Sequence, residues 1–149
     1  MNRVRSVSLL LGLTSFAACG DSTGPNDIAG TYEATTFILT RTGSPPADVL
    51  AAGGVFSLVL VEDGRMFGNL LIPQSLTDDP QQFELFLEGT FTISDDRVRF
   101  RQVQQQDNNF LEEIAWSVGP NRLSGTYSDI DGTIEITLTR METAERNAS

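Results

Sequence analysis

Cys19 is the only cysteine, there is no histidine, and arginine supplies all ten basic residues. These absences exclude a Ser-His-Asp triad, a histidine base or metal ligand, a Schiff-base lysine and a phosphate-loop lysine. Carboxylates, Tyr, Ser, Thr and Arg are what remain. Asp129-x-Asp131-Gly132 opens like a calcium loop, but the further spaced acids are missing, so a hairpin turn is expected there. Asp78-Asp79 and Glu112-Glu113 are paired carboxylates of the sort a glycosidase uses. A small β domain has no obvious sugar cleft for them, and they read as solvated charges. Arg97, Arg99 and Arg101 alternate as phosphate-binding cations do. The strand pairing derived below sets acidic neighbours on their face, which reads as cross-strand charge balance. The expectation is no catalysis, no metal and no cofactor.

The N-terminus explains the lone thiol. Arg3 and Arg5 precede an uncharged, mostly apolar run from Val7 to Phe16. That is a signal-peptide pattern, too short for a bilayer span of about 20 apolar residues. Phe16-Ala17-Ala18-Cys19 resembles the lipobox of bacterial lipoproteins, with Phe where Leu is usual. The resemblance implies cleavage after Ala18, diacylglycerol on the Cys19 sulfur and acylation of the new N-terminus. Two or more acyl chains make a stable anchor. Gly20 after the cysteine fits sorting to an outer membrane, facing the periplasm. The expected organisation is a signal peptide over 1–18, the lipidated cysteine with a flexible linker over 19–27, one domain over 28–141 and a disordered tail over 142–149. The other reading of the N-terminus is an ordinary secretory signal with a chance cysteine.

Acidic residues outnumber basic ones by 20 to 10, and removal of the signal takes two of the arginines. So acidic a chain is repelled by nucleic acid and by anionic headgroups. The membrane contact therefore has to come from the lipid.

The remaining sequence alternates like a series of β-strands. Eight candidates run over about 30–41, 55–62, 65–72, 83–94, 97–105, 110–118, 122–128 and 133–140, mostly separated by short turn clusters. Asp63-Gly64 is read as a two-residue hairpin turn. A short helix over 45–52, opened by Pro and closed by Gly53-Gly54, is expected to cover the outer face of the second and third strands, which look apolar on both sides. Turn positions predict register. Asp95-Asp96 pairs Phe91 with Phe100, and Asp107–Asn109 pairs Phe100 with Trp116. Pro120-Asn121 pairs Trp116 with Gly125, and Asp129–Gly132 pairs Gly125 with Ile136. One apolar face then runs through five strands, and a one-residue slip would break it. The fold class expected is all-β: an eight-stranded antiparallel up-and-down barrel, with a β-sandwich as the alternative.

Gly30-Thr31-Tyr32 starts the first strand and Arg140 ends the last. Lipocalins and their barrel relatives start with Gly-x-Trp and pack an Arg over that aromatic, so residues 28–141 resemble a lipocalin-like barrel. The Thr-Asp-Tyr motif and the C-terminal helix of lipocalins are missing. The resemblance implies an interior pocket for a small apolar or lipid-derived ligand, lined by Tyr32, Ile38, Phe91, Phe100, Trp116, Tyr127 and Ile136. Each of these is equally a core residue. Gln102, Gln104 and Glu112 lie at one mouth, as ligand-orienting groups or as solvated strand ends. A single Trp argues against an avidin-like biotin cage. The alternative function is a non-catalytic interaction module, an inhibitor or an envelope assembly factor. It would have a filled barrel and meet a protein partner through 55–72.

Overall fold

A computed structural model describes residues 24–77, 81–103 and 109–142. The lipobox with Cys19, Asp78-Asp79, Gln104 with the end of the predicted 97–105 strand, Asp107-Asn108 of the predicted loop and the tail from 143 lie outside the described residues. The elements are α1 (Pro25–Ile28), β1 (Gly30–Arg41), β2 (Ala47–Asp48), β3 (Val55–Leu60), β4 (Arg65–Ile72), β5 (Phe83–Ser94), β6 (Arg97–Gln102), α2 (Phe110–Glu113), β7 (Ala115–Gly119), β8 (Arg122–Ser128) and β9 (Gly132–Arg140).

Alternation drives the architecture. In β5, Leu85, Leu87, Gly89 and Phe91 are buried while Glu84, Phe86, Glu88, Thr90 and Thr92 are exposed. A strand dry on one face needs a closed surface to bury it. Strands β1, β3, β4, β5, β6, β7, β8 and β9 pair in that order, all antiparallel, and β9 returns to β1. The protein is a closed eight-stranded antiparallel up-and-down barrel, as its alternation predicts, and the sandwich is set aside. The hairpins at Asp95-Asp96, Pro120-Asn121 and Asp129–Gly132 have the expected registers, with Phe91 opposite Phe100, Trp116 opposite Gly125 and Gly125 opposite Ile136.

Four expectations are corrected. The Asp63-Gly64 hairpin has a three-residue loop, Glu62–Gly64. The Val61 N–H donates to the Arg65 carbonyl, and Gly64 takes a left-handed φ of 85°. A type I turn followed by a left-handed Gly is the usual build of such a loop. The extra residue shifts register by one, so Phe56, Leu58 and Leu60 face Leu70, Gly68 and Met66 inside. Val55, Ser57 and Val59 face Leu71, Asn69 and Phe67 outside.

The second correction is a β-bulge between Ala34 and Thr36 in β1. It flips the alternation, turning Phe37 into the core with no exposure and leaving Ile38 opposite Glu135 on the outer face. Third, no helix forms over 45–52. Ala47-Asp48 pairs with β1, and a turn follows in which Val49 is fully buried. This segment plugs a barrel end, so the outer face of β3 and β4 is not covered by it, and Val55 is 46% exposed.

Fourth, Phe110–Glu113 forms a helical turn, and strand pairing resumes only at Ala115. Trp116 therefore faces Val98, not Phe100 as the turn positions predict. The shift is two residues, an even number, so each side chain keeps its face.

Candidate functional site: an aromatic core and an arginine-lined cleft

The predicted ligand residues divide into three groups. Tyr32, Phe91, Phe100, Trp116 and Ile136 all point inward and join one buried cluster. Trp116 lies edge-on to Phe100 at 5.6 Å between ring centroids, and Phe100 is 6.5 Å from Phe91. Tyr127 is only half-buried, at the barrel rim. Ile38 is outside, for the reason given above.

Three aromatics not predicted for the interior, Phe37, Phe56 and Phe110, join this cluster. Phe37 and Phe110 pack with Phe56 at 6.1 and 6.0 Å, and Phe56 reaches Trp116 at 6.3 Å. Ring pairs of this kind add about 0.5–1.5 kcal/mol each beyond their burial. The Thr35-Thr36 doublet before Phe37-Ile38-Leu39 was the available signal, since only a bulge there buries the Phe.

A short helix packs against each end of the barrel. At one end Ile28 of α1 is buried, and the Tyr32 hydroxyl donates to its carbonyl at 2.8 Å. Burial pushes the Tyr32 phenol above its ordinary value, partly offset by the Arg140 guanidinium. Arg140 stands opposite Tyr32 across the β1–β9 seam and donates to the carbonyls of Asp27 and Ala29. Helical structure thus starts at Pro25, inside the stretch expected to be linker.

At the other end Gln102 and Glu112 hold α2 in place. The Gln102 N–H donates to Glu112 Oε1 at 2.7 Å, and the Leu111 N–H donates to Gln102 Oε1 at 2.6 Å. The Leu111 carbonyl accepts from Trp116 Nε1 at 3.1 Å. These polar groups serve as a latch within the fold. Beside them, the Tyr127 hydroxyl donates to Asp129 Oδ2 at 2.8 Å, while Asp129 Oδ1 accepts from the N–H groups of Asp131 and Gly132. The bond from Tyr127 holds the Asp129 carboxyl below the ordinary range. It raises the Tyr127 phenol in return. Asp129-x-Asp131-Gly132 is a self-capped turn. Among the described residues no group of three His, Cys, Asp or Glu is placed to hold a metal.

Among the described residues the wall opens where β6 leaves β7. β6 meets β7 through only two residue pairs, Arg97 with Ser117 and Val98 with Trp116. Above them, Arg99, Phe100 and Arg101 have no partner on β7, because the chain is diverted into α2. A cleft of about 990 Å³ opens there. Its outer wall carries Arg97, Arg99 and Arg101 with the hydroxyls of Thr90, Thr92, Ser117 and Thr126.

A second surface lies on β3, β4 and β5. Val55, Val59, Phe67 and Phe86 are exposed there, Phe86 to 76%. Arg65 stacks over the Phe67 ring at 5.8 Å. Phe86 lies between Glu84 and Glu88 on the wet face, so the alternation of the strand already pointed it to solvent. It is the surface residue that sequence reasoning missed.

No family model, curated protein or solved structure matches this chain.

Proposed function

We propose that this chain is an exported lipoprotein, anchored through Cys19 to the outer membrane on its periplasmic side. In this reading it is a non-catalytic interaction module: a barrel with an aromatic core that presents its outer surface to a protein partner. The observation that carries the reading is the packed interior. Phe37, Phe56, Phe110, Trp116 and Phe100 pack ring against ring in the interior, which supports a core role for them. The lipobox supports the anchor. The exposed Val55, Val59, Phe67 and Phe86 support a contact face, because apolar side chains grouped outside a barrel gain by being covered. Phe56, although in the same hairpin, belongs to the core and takes no part.

Photo-crosslinking from position 59 in the full, lipidated chain tests this. A discrete adduct is expected in envelope preparations, lost in the Phe67→Ser/Phe86→Ser variant while that variant stays folded with a melting temperature only a few degrees lower. An adduct that survives both substitutions refutes the face. The anchor is tested separately: Cys19→Ala is expected to move the protein from the membrane fraction to the soluble periplasm, and retention in the membrane fraction overturns it.

A further inference from the structure

The cleft beside β6 is a different matter from the apolar face. Arg97, Arg99 and Arg101 occupy successive outward positions of one strand, and all three are exposed. Same-face neighbours on a strand lie about 6.6–6.8 Å apart, so three guanidiniums stand in a row. Glu84 and Glu88 share this outer face, as expected, but they lie beyond the positions directly across from the three arginines. The observed partners on β5 are Ser94, Thr92 and Thr90, all neutral hydroxyls, and Arg97 meets Ser117 on β7. The ion pair found among the described residues is Arg65 with Asp63. Other arginines hold the fold: Arg41 donates to the Leu76 carbonyl, and Arg140 ties down α1. The three on β6 do neither, in a chain whose net charge is −10.

Cations in such an arrangement repel one another unless an anion lies among them. The wall gap supplies the room. Glu112 and Glu113 line the α2 end of the cleft, and Glu112 is engaged by the Gln102 N–H. The anion's place is therefore along the arginine row of β6, where Thr90, Thr92 and Ser117 add neutral donors.

We propose that this cleft binds a ligand bearing two or more phosphate groups, held by the guanidiniums of Arg97, Arg99 and Arg101. Guanidinium forks donate two parallel bonds to phosphate oxygens, and one phosphate carries more charge than one carboxylate. Three cations in line match at least two phosphates. The phosphates belong either to a soluble ester or to a membrane headgroup, and the two sources share this chemistry. The site is independent of the protein-contact face on β3–β5.

Calorimetry on the purified chain with tripolyphosphate as probe tests the proposal. Saturable binding that weakens with added salt is expected. Arg99→Gln should weaken it by about tenfold, the value of one charge-assisted bond. Arg122→Gln, on β8 and not lining the cleft, should leave it within about twofold. A triple Arg97→Gln/Arg99→Gln/Arg101→Gln variant that keeps its melting temperature should not bind. No binding by the native chain, equal binding by the triple variant, or equally tight binding of citrate overturns the proposal. A second arm uses phosphatidylcholine vesicles with and without cardiolipin, whose headgroup has two phosphates. Cardiolipin-dependent binding competed by tripolyphosphate supports the site with a headgroup as source. Tripolyphosphate binding with no vesicle binding supports it with a soluble source.

Discussion

Tyr32 and Arg140 face each other across the seam that closes the barrel, and both reach past the strand ends to the same helical turn. The Tyr32 hydroxyl holds the Ile28 carbonyl, and the Arg140 guanidinium holds those of Asp27 and Ala29. One pair of side chains therefore ties the first strand, the last strand and the plug of this end together. Arg140→Ala is expected to cost about 1–3 kcal/mol, the range for bonds from a charged donor. Hydrogen exchange should rise first at Ile28 and Ala29. Arg140→Lys keeps the charge but loses the fork, so it should rescue only part of the loss. Unchanged exchange at Ile28 in Arg140→Ala would show that α1 docks without the guanidinium.

Phe56 and Phe67 lie in adjacent strands yet should respond very differently to truncation. Phe56 is 1% exposed and touches Phe37, Phe110 and Trp116. Phe56→Ala is expected to cost about 3–5 kcal/mol, as aromatic truncations in cores do. Phe67 is 38% exposed and stacks with Arg65. Phe67→Ala should cost about 0.5–1 kcal/mol, the worth of an exposed cation–π contact. Urea titration of both variants decides this. Similar losses would mean the β3–β4 register is not the one described.

That pair also shows where sequence reading stops. Alternation and turn chemistry in Phe83–Gln102 and Ala115–Arg140 were enough to place the inward aromatics, because loops such as Asp95-Asp96 and Pro120-Asn121 leave the pairing unambiguous. Glu62-Asp63-Gly64 was not: a left-handed Gly64 suits a two-residue or a three-residue loop, and only packing chooses between opposite faces. The bulge at Thr35 is similar. It is favoured by Phe37 filling the interior, a gain that no local propensity encodes. The cleft was legible as an arginine row but not as a cleft. Its existence depends on Phe110–Glu113 leaving the sheet, and those residues run directly into the alternating Ile114–Val118, so the whole stretch passes for strand.

Gly125 sits beneath the only tryptophan. A Cβ there would lie 2.7 Å from Ile114 Cγ2 and 2.8 Å from Trp116 Cε3. The backbone of β8 comes this close because glycine presents no side chain to the indole. Gly125→Ala should push the ring off β8 and cost about 1–3 kcal/mol, the usual penalty for overpacking. Trp116 is 3% exposed, so its emission should shift to the red as it moves. Native emission together with native stability would show that the ring has other room.

Asp63 and Asp129 make the turns of this barrel sensitive to acid. Asp63 accepts the Arg65 N–H and the Arg65 guanidinium, which hold its carboxyl below the ordinary range. Asp129 is held low by the Tyr127 hydroxyl and its own turn. In the unfolded chain both carboxyls return to their ordinary values and bind protons more readily. Their contribution is therefore complete above the unfolded value, and it disappears as pH falls through the lower folded value. Urea midpoints from neutral pH to about pH 2 should show the native chain losing stability below about pH 4. The Asp63→Asn/Asp129→Asn variant should start lower at neutral pH and fall less steeply. The gap between the two chains should close towards the acid end. A gap that stays constant across the range would mean that neither carboxylate is bound more tightly in the folded protein than in the unfolded one.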